Sequence, residues 1–139
     1  MKFTRNANAN WIGSGKDGNG TLTTESTVLD KSQYSFKTRF EEGIGTNPEE
    51  LIAAALSGCY TMQLSFLLGE AGFTPTSLDT AAKVTFEDGS VTTIHLDLNG
   101  HVEGIDSRLF EEIAHKAKEI CPISKLMNAP ITLAITMAI

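Results

Sequence analysis

The sequence predicts an α+β fold, and three observations carry that reading. Leu51 to Leu68 is an uninterrupted run of eighteen uncharged residues, the pattern of a helix that is apolar nearly all round and therefore buried. Leu109, Phe110, Ile113, Ala114, Ala117 and Ile120 recur at helical spacing. The rest of the chain is β-like and broken by Gly, Asp and Asn clusters that suit turns.

In chain order, Asn8 to Trp11 reads as a strand that enters the turn-forming run Gly13 to Gly20. A threonine-rich strand, Thr21 to Val28, follows, and Asp30 to Gln33 forms a second turn. Tyr34, Phe36, Thr38 and Phe40 then alternate with polar residues, which predicts a strand bearing Arg39. Together these segments predict an antiparallel meander. Gly13, Gly15 and Gly18 match the dinucleotide fingerprint by spacing. The segment after them is β-like, however, and the fingerprint needs a helix whose N-terminus meets the pyrophosphate. Gly15-Lys16 also lacks the Ser or Thr of a P-loop.

Asn47-Pro48-Glu49-Glu50 is a helix start. Asn47 caps, Pro48 fits the first helical position, and both glutamates suit the positive end of the dipole. Glu50, three residues after Asn47, resembles the acidic partner of a capping box. The helix is expected from Pro48 to about Ala71, with Gly72 and Pro75 ending it. Gly58 weakens it by roughly 1 kcal/mol relative to Ala, a cost that close packing or room for a ligand would offset. Leu78 to Glu87 and Val91 to Val102 are strands joined by the hairpin signal Asp88-Gly89. Asp106 or Ser107 opens the second long helix, a short helix begins after Cys121, and Ile131 to Ala138 is a terminal strand. Two helices packed on sheet follow from this order.

The 139 residues suit a single domain, 1–139, with its own core. A net charge of −6 and the absence of any basic run argue against nucleic acid and anionic membrane as partners. A membrane span at Leu51 to Leu68 is disfavoured by Ser57, Thr61, Gln63 and Ser65 within it and by the acidic flanks Glu49, Glu50 and Glu70. Met1 to Asn6 has no apolar stretch of the signal-peptide kind, so a cytoplasmic location is expected. In a reducing compartment, two cysteines point to a transient, catalytic or redox-sensing pair.

Those two are Cys59, inside the long apolar helix, and Cys121, directly before Pro122. A cysteine in an apolar helix is commonly inert packing. A thiol just ahead of a helix N-terminus meets exposed N–H groups that favour the thiolate. The spacing of 121 − 59 = 62 positions matches no metal motif and leaves open whether the sulfurs meet. A buried Cys59 thiolate needs a counter-charge. Arg39 is the candidate, with Glu49 and Glu50 available to hold its guanidinium. The alternative is that Arg39 faces solvent and both glutamates serve the helix dipole. His95, His101 and His115 show no metal-ligand spacing. No G-x-S-x-G elbow occurs.

Gly45-Thr46-Asn47-Pro48-Glu49-Glu50-Leu51-Ile52 followed by Cys59 resembles the central helix of the OsmC/Ohr family. Gly69 to Ser77, Cys121-Pro122-Ile123-Ser124 and the Arg39-bearing segment Tyr34 to Phe40 continue the likeness, which fits the OsmC branch better than the Ohr branch. Glu87 to Val91 is shorter than is common in that branch. The resemblance implies an OsmC-like fold, with antiparallel sheets wrapped around long central helices in an intertwined homodimer. It implies a thiol-dependent peroxidase acting on organic hydroperoxides and more weakly on hydrogen peroxide. Cys59 would be peroxidatic and Cys121 resolving, with Arg39 stabilising the thiolate and Glu49 orienting Arg39. It further implies an external dithiol reductant and no metal, haem or flavin. Two other classes stay open on the residues alone: a binder of small apolar ligands, with Cys59 lining the site, and a redox sensor.

Overall fold

The computed structural model describes residues 1–138; Ile139, the end of the expected domain, lies outside them. The chain divides into two compact units, Met1–Leu51 and Ile52–Ile139.

In the first unit, strands β1 (Ala7–Ile12), β2 (Asn19–Thr24) and β3 (Ser32–Tyr34) form an antiparallel meander in the order β1-β2-β3, with the third strand beginning on Ser32 and Gln33, where a turn is expected, and ending at Tyr34 instead of running to Phe40. The Gly13 to Gly18 run closes the first hairpin, and β2 follows it directly, so it presents no phosphate-binding helix. β2 stops at Thr24, short of Val28, because Thr24 N–H donates to the carbonyl of Leu29 and folds the chain back.

The segment bearing Arg39 departs from expectation. It is helix α1 (Phe36–Phe40), not a strand. Ser35 accepts from the Thr38 amide and Ser35 N–H donates to Thr38 Oγ1, a reciprocal capping box. Phe36 and Phe40 then lie one helical turn apart with ring centroids at 4.9 Å. Their spacing of four satisfies both a two-residue and a 3.6-residue period, and the cap decides between them.

The second unit is built around helix α2 (Pro48–Glu70), whose N-terminal turn lies in the first unit. Strands β4 (Ser77–Glu87) and β5 (Ser90–His101) form a long antiparallel hairpin. Its turn residues Asp88 and Gly89 have φ of 47° and 83°, the left-handed pair of a two-residue hairpin loop. Helix α3 (Ser107–Ile120) is capped by Asp106, which accepts from the Leu109 amide. Helix α4 (Pro122–Leu126) and strand β6 (Ile131–Met137) follow. β6 pairs with β5 in parallel, so this sheet is mixed, with the order β4-β5-β6.

The core of this unit is one cluster. Leu56, Tyr60, Leu64 and Leu68 on α2, Ile94, Leu96 and Leu98 on β5, and Phe110, Ala114 and Ala117 on α3 are buried together. β5 contributes every second residue and α2 roughly every fourth, so each buries one face. Gly100 belongs to the same face of β5, and a Cβ there would collide with the Phe110 ring. By length and composition α2 is also apolar enough to cross a membrane. Its buried stripe packs into this cluster, and its other face leaves Met62 and Phe66 exposed.

Candidate active site

Arg39 and Glu49 meet in the first unit. Arg39 Nε and one terminal guanidinium nitrogen donate to the two Glu49 carboxylate oxygens at 2.9 and 3.0 Å, a bidentate fork. The local fold sets this up through Asn47. Its Oδ1 accepts from the Glu50 amide at 2.8 Å and caps α2, while its Nδ2 donates to the carbonyl of Thr38 on α1 at 3.0 Å. One side chain thus ties the start of α2 to the turn that carries Arg39. Gly45 lets the chain ahead of this cap pass close to β3. Its φ of 132° lies in the glycine-favoured region, and a Cβ there would strike the Gln33 carbonyl.

Glu50 has a different task. It accepts from the Thr46 hydroxyl at 2.7 Å and from the Asn47 amide at 3.4 Å, so it rigidifies the cap and leaves Arg39 to Glu49. The Arg39 side chain is 39% exposed and the Glu49 side chain 15%. At that exposure the pair fixes orientation more than it adds stability.

The cysteines meet in the second unit. Cys59 lies midway along α2. Cys121 stands between α3 and α4, its N–H donating to Ala117 and its carbonyl accepting from Lys125. The Cys121 thiol donates to Cys59 Sγ at 2.7 Å. Tyr60 fastens the two helices beside them. Its hydroxyl is buried and donates to the Ala114 carbonyl on α3 at 3.0 Å. Cys121 is 0% exposed, whereas Cys59 is only partly covered. A reagent arriving from solvent therefore reaches Cys59 first.

The thiols differ in acidity. Burial pushes the Cys59 thiol up, and the neighbouring Cys121 sulfur adds to the rise, while the Ile123 amide works against it. Burial also acts to raise Cys121, but it is outweighed. Once Cys121 is ionised, its contact with the Cys59 thiol and the amides of Ser124 and Ile123 at the start of α4 favour that state, so the Cys121 thiol is lowered. These contacts fall short of a full cap, since the Cys121 side chain accepts no capping hydrogen bond. Ionising Cys59 against its burial calls for positive charge.

The histidines stay apart from this chemistry. His95 Nδ1 lies 2.6 Å from Thr132 Oγ1, its partner across the parallel β5–β6 pair, and His115 is exposed on α3. No group of three or more His, Cys, Asp or Glu suited to a metal occurs among the described residues. Three contributors escaped sequence reasoning: Asn47 as the bridge to α1, Tyr60 as the clamp between helices, and Ser124 as a buried hydroxyl after Cys121. Ser124 left a legible trace, since it follows a helix-starting Cys121 by three positions.

Residues 41–136 match the family described as OsmC-like protein. Over 137 residues the chain is 48% identical to Peroxiredoxin OsmC of Escherichia coli (strain K12), with 96% of each chain covered. The same identity and coverage hold for Peroxiredoxin OsmC of Shigella flexneri. Among solved structures, an OsmC-like protein from Mycoplasma pneumoniae aligns over 100% of both chains with a TM-score of 0.79 at 12% identity. The organic hydroperoxide resistance protein OhrB of Bacillus subtilis aligns over 98% of both with a TM-score of 0.71 at 23% identity. At such identities these two speak for the fold, and the 48% relatives together with the family match speak for descent: the chain belongs to the OsmC-like protein family.

Proposed function

We infer that the protein is a cysteine-based peroxidase, one OsmC-like domain in which Cys59 reduces organic hydroperoxides and Cys121 resolves the product. The observation that carries this reading is the sulfur pair itself, a partly exposed thiol 2.7 Å from a fully buried one. That arrangement suits a first oxidation by an outside reagent and a second step confined to the protein. The relatives at 48% identity bear the name peroxiredoxin, which agrees with it.

The cycle balances as follows. The Cys59 thiolate attacks one peroxide oxygen, the O–O bond breaks, and the other oxygen leaves as an alkoxide that takes up a proton to become the alcohol. Cys59 is now a sulfenic acid. Cys121 attacks its sulfur, water departs, and the Cys59–Cys121 disulfide forms. An external dithiol supplies two electrons and two protons to restore both thiols and is itself oxidised to a disulfide. This last step requires a reducing compartment, in keeping with a cytoplasmic protein. Arg39 has the role of stabilising the Cys59 thiolate, and Glu49 that of orienting Arg39. The apolar residues around Cys59 favour a hydrophobic peroxide and keep water from the sulfenic acid.

The working unit in this proposal is a homodimer. Met62 and Phe66 on α2 are 63% and 64% exposed in one chain. Large apolar side chains left uncovered side by side suit an interface.

Peroxide consumption with a dithiol reductant tests the reading. Wild type is expected to turn over cumene hydroperoxide faster than hydrogen peroxide, and Cys59→Ser to turn over neither. Absence of turnover from fully reduced wild type would favour a ligand-binding protein. Arg39→Ala is expected to slow Cys59 alkylation near neutral pH on the order of tenfold, one pKa unit's worth. An unchanged rate would remove Arg39 from the mechanism.

A further inference from the structure

Ser124 carries a polar atom that the fold does not use. The residue is 8% exposed, and its Oγ is buried without a hydrogen-bond partner among the described residues. A buried hydroxyl left unpaired is destabilising, because it has given up water for nothing. Its position is informative. Cys121 is the N-cap of α4 and Ser124 is the third residue after it. In a capping box the side chain at each of these positions reaches back to the backbone N–H of the other, so both stand at the same helix end. The neighbouring sulfur is a poor acceptor as a thiol and a good one as a thiolate. The Ser124 hydroxyl is also among the groups that favour the ionised Cys121.

We propose that the Ser124 hydroxyl donates to the Cys121 thiolate and so makes Cys121 the leaving sulfur when the Cys59–Cys121 disulfide is reduced. The second half of this statement rests on the peroxidase cycle above. Access sets the direction of attack, since Cys59 is the partly exposed sulfur and Cys121 the covered one. The reductant's thiolate attacks Cys59 Sγ and the S–S bond breaks. Cys121 departs with the electron pair, and a mixed disulfide joins Cys59 to the reductant. The reductant's second thiolate then attacks its own sulfur in that bond, and Cys59 leaves as a thiolate. Both protein thiolates take up protons from solvent when they return to thiols. A leaving sulfur of lower pKa departs faster. The hydroxyl finds its missing partner only when Cys121 is charged, so it lowers the energy of that state and not of the resting thiol.

The decisive measurement uses a Cys59→Ser background, where Cys121 is the only cysteine. Its ionisation midpoint is read from the ultraviolet absorbance of the thiolate across pH. Ser124→Ala is expected to raise the midpoint by about one pH unit, the worth of one hydrogen bond to a charged group. Ser124→Thr keeps a hydroxyl and is expected to restore the lower midpoint. With both cysteines present, Ser124→Ala is expected to slow reduction of the preformed disulfide by dithiothreitol about threefold. Thermal unfolding supplies the control: removing an unpaired buried hydroxyl leaves Tm unchanged or raises it, whereas a structural role would lower it. A midpoint that stays put in Ser124→Ala, or rises equally in Ser124→Thr, overturns the proposal. The midpoint is read without peroxide, so failure of the peroxidase reading is separately visible.

Discussion

The two units hold their functional groups by opposite means. In Met1–Leu51 only Gly20 and Thr38 are buried, and Arg39 is placed by a chain of hydrogen bonds: a capping box, the Asn47 bridge and a bidentate carboxylate. Among the described residues of Ile52–Ile139 thirteen apolar ones are buried, and the cysteines are placed by packing. The charged half of the proposed machinery is thus directional and locally encoded. The thiol half depends on helices that meet across 62 positions of sequence. Damage should therefore spread differently from each.

Phe110→Ala is the largest perturbation expected. Phe110 is 0% exposed and sits against Gly100 of β5, so truncation opens a cavity with little chance of collapse. The cost is about 3–5 kcal/mol, read as a fall in the urea midpoint. Disulfide formation should suffer with it, because α3 carries Cys121 at its end. A mild effect would mean that packing does not hold the thiols.

Tyr60 gives the next effect, and it depends on pH. Burial raises its phenol well above the ordinary value, with the nearby Cys121 sulfur adding to the rise. The sign follows from proton counting. Above about pH 10 the unfolded chain loses the tyrosine proton while the folded chain keeps it, so stability is fully present below that pH and falls as pH rises. The slope approaches about 1.4 kcal/mol per pH unit. Tyr60→Phe should be weaker by about 1 kcal/mol at neutral pH, for the lost bond to Ala114, yet flatter in alkali. Urea unfolding of both proteins between about pH 9 and 11 checks whether the curves converge. Parallel curves would show that Tyr60 ionises normally.

How much of this was legible in the sequence also divides by mechanism. The starts of α2 and α3 and the β4–β5 hairpin were readable because Asn47-Pro48, Asp106 and Asp88-Gly89 act on their own neighbours. The Arg39 segment reads as strand in sequence because Phe36 and Phe40 satisfy two periods at once, and a five-residue helix offers too few positions to separate them. The parallel pairing of β6 with β5 was not readable, since strand partners are chosen by the assembled core and not by the strand. The same holds for the sulfur contact, where spacing left the question open and only family likeness implied a pair. Whether Glu49 or Glu50 would take Arg39 was equally undecidable from adjacent positions. The answer lies in which of them the cap consumes, and the cap consumes Glu50.

Asn47→Ala tests the hydrogen-bonded side of the comparison. It removes the α2 cap and the tie to Thr38 in one step. A loss of about 1 kcal/mol is expected for the cap. Functionally the change should imitate Arg39→Ala in part, slowing Cys59 alkylation while leaving the sulfur pair able to oxidise. A loss of both together would mean that the thiols also depend on the first unit.

Gly58→Ala is the smallest change and the sharpest for α2. A methyl group added there meets nothing within 4 Å among the described residues, so no packing among them requires a glycine. On helix propensity alone the substitution should stabilise by up to about 1 kcal/mol. Gly58, Met62 and Phe66 are spaced by four, however, and so fall on the same face of α2. If a second copy packs on that stripe, the added methyl is overpacked, at a cost of about 1–3 kcal/mol. The proposed homodimer predicts that outcome: sedimentation equilibrium should show weaker association in Gly58→Ala, with turnover falling as the protein is diluted. A variant of higher Tm and unchanged mass would leave the face open to solvent and give Gly58 no structural purpose that either unit explains.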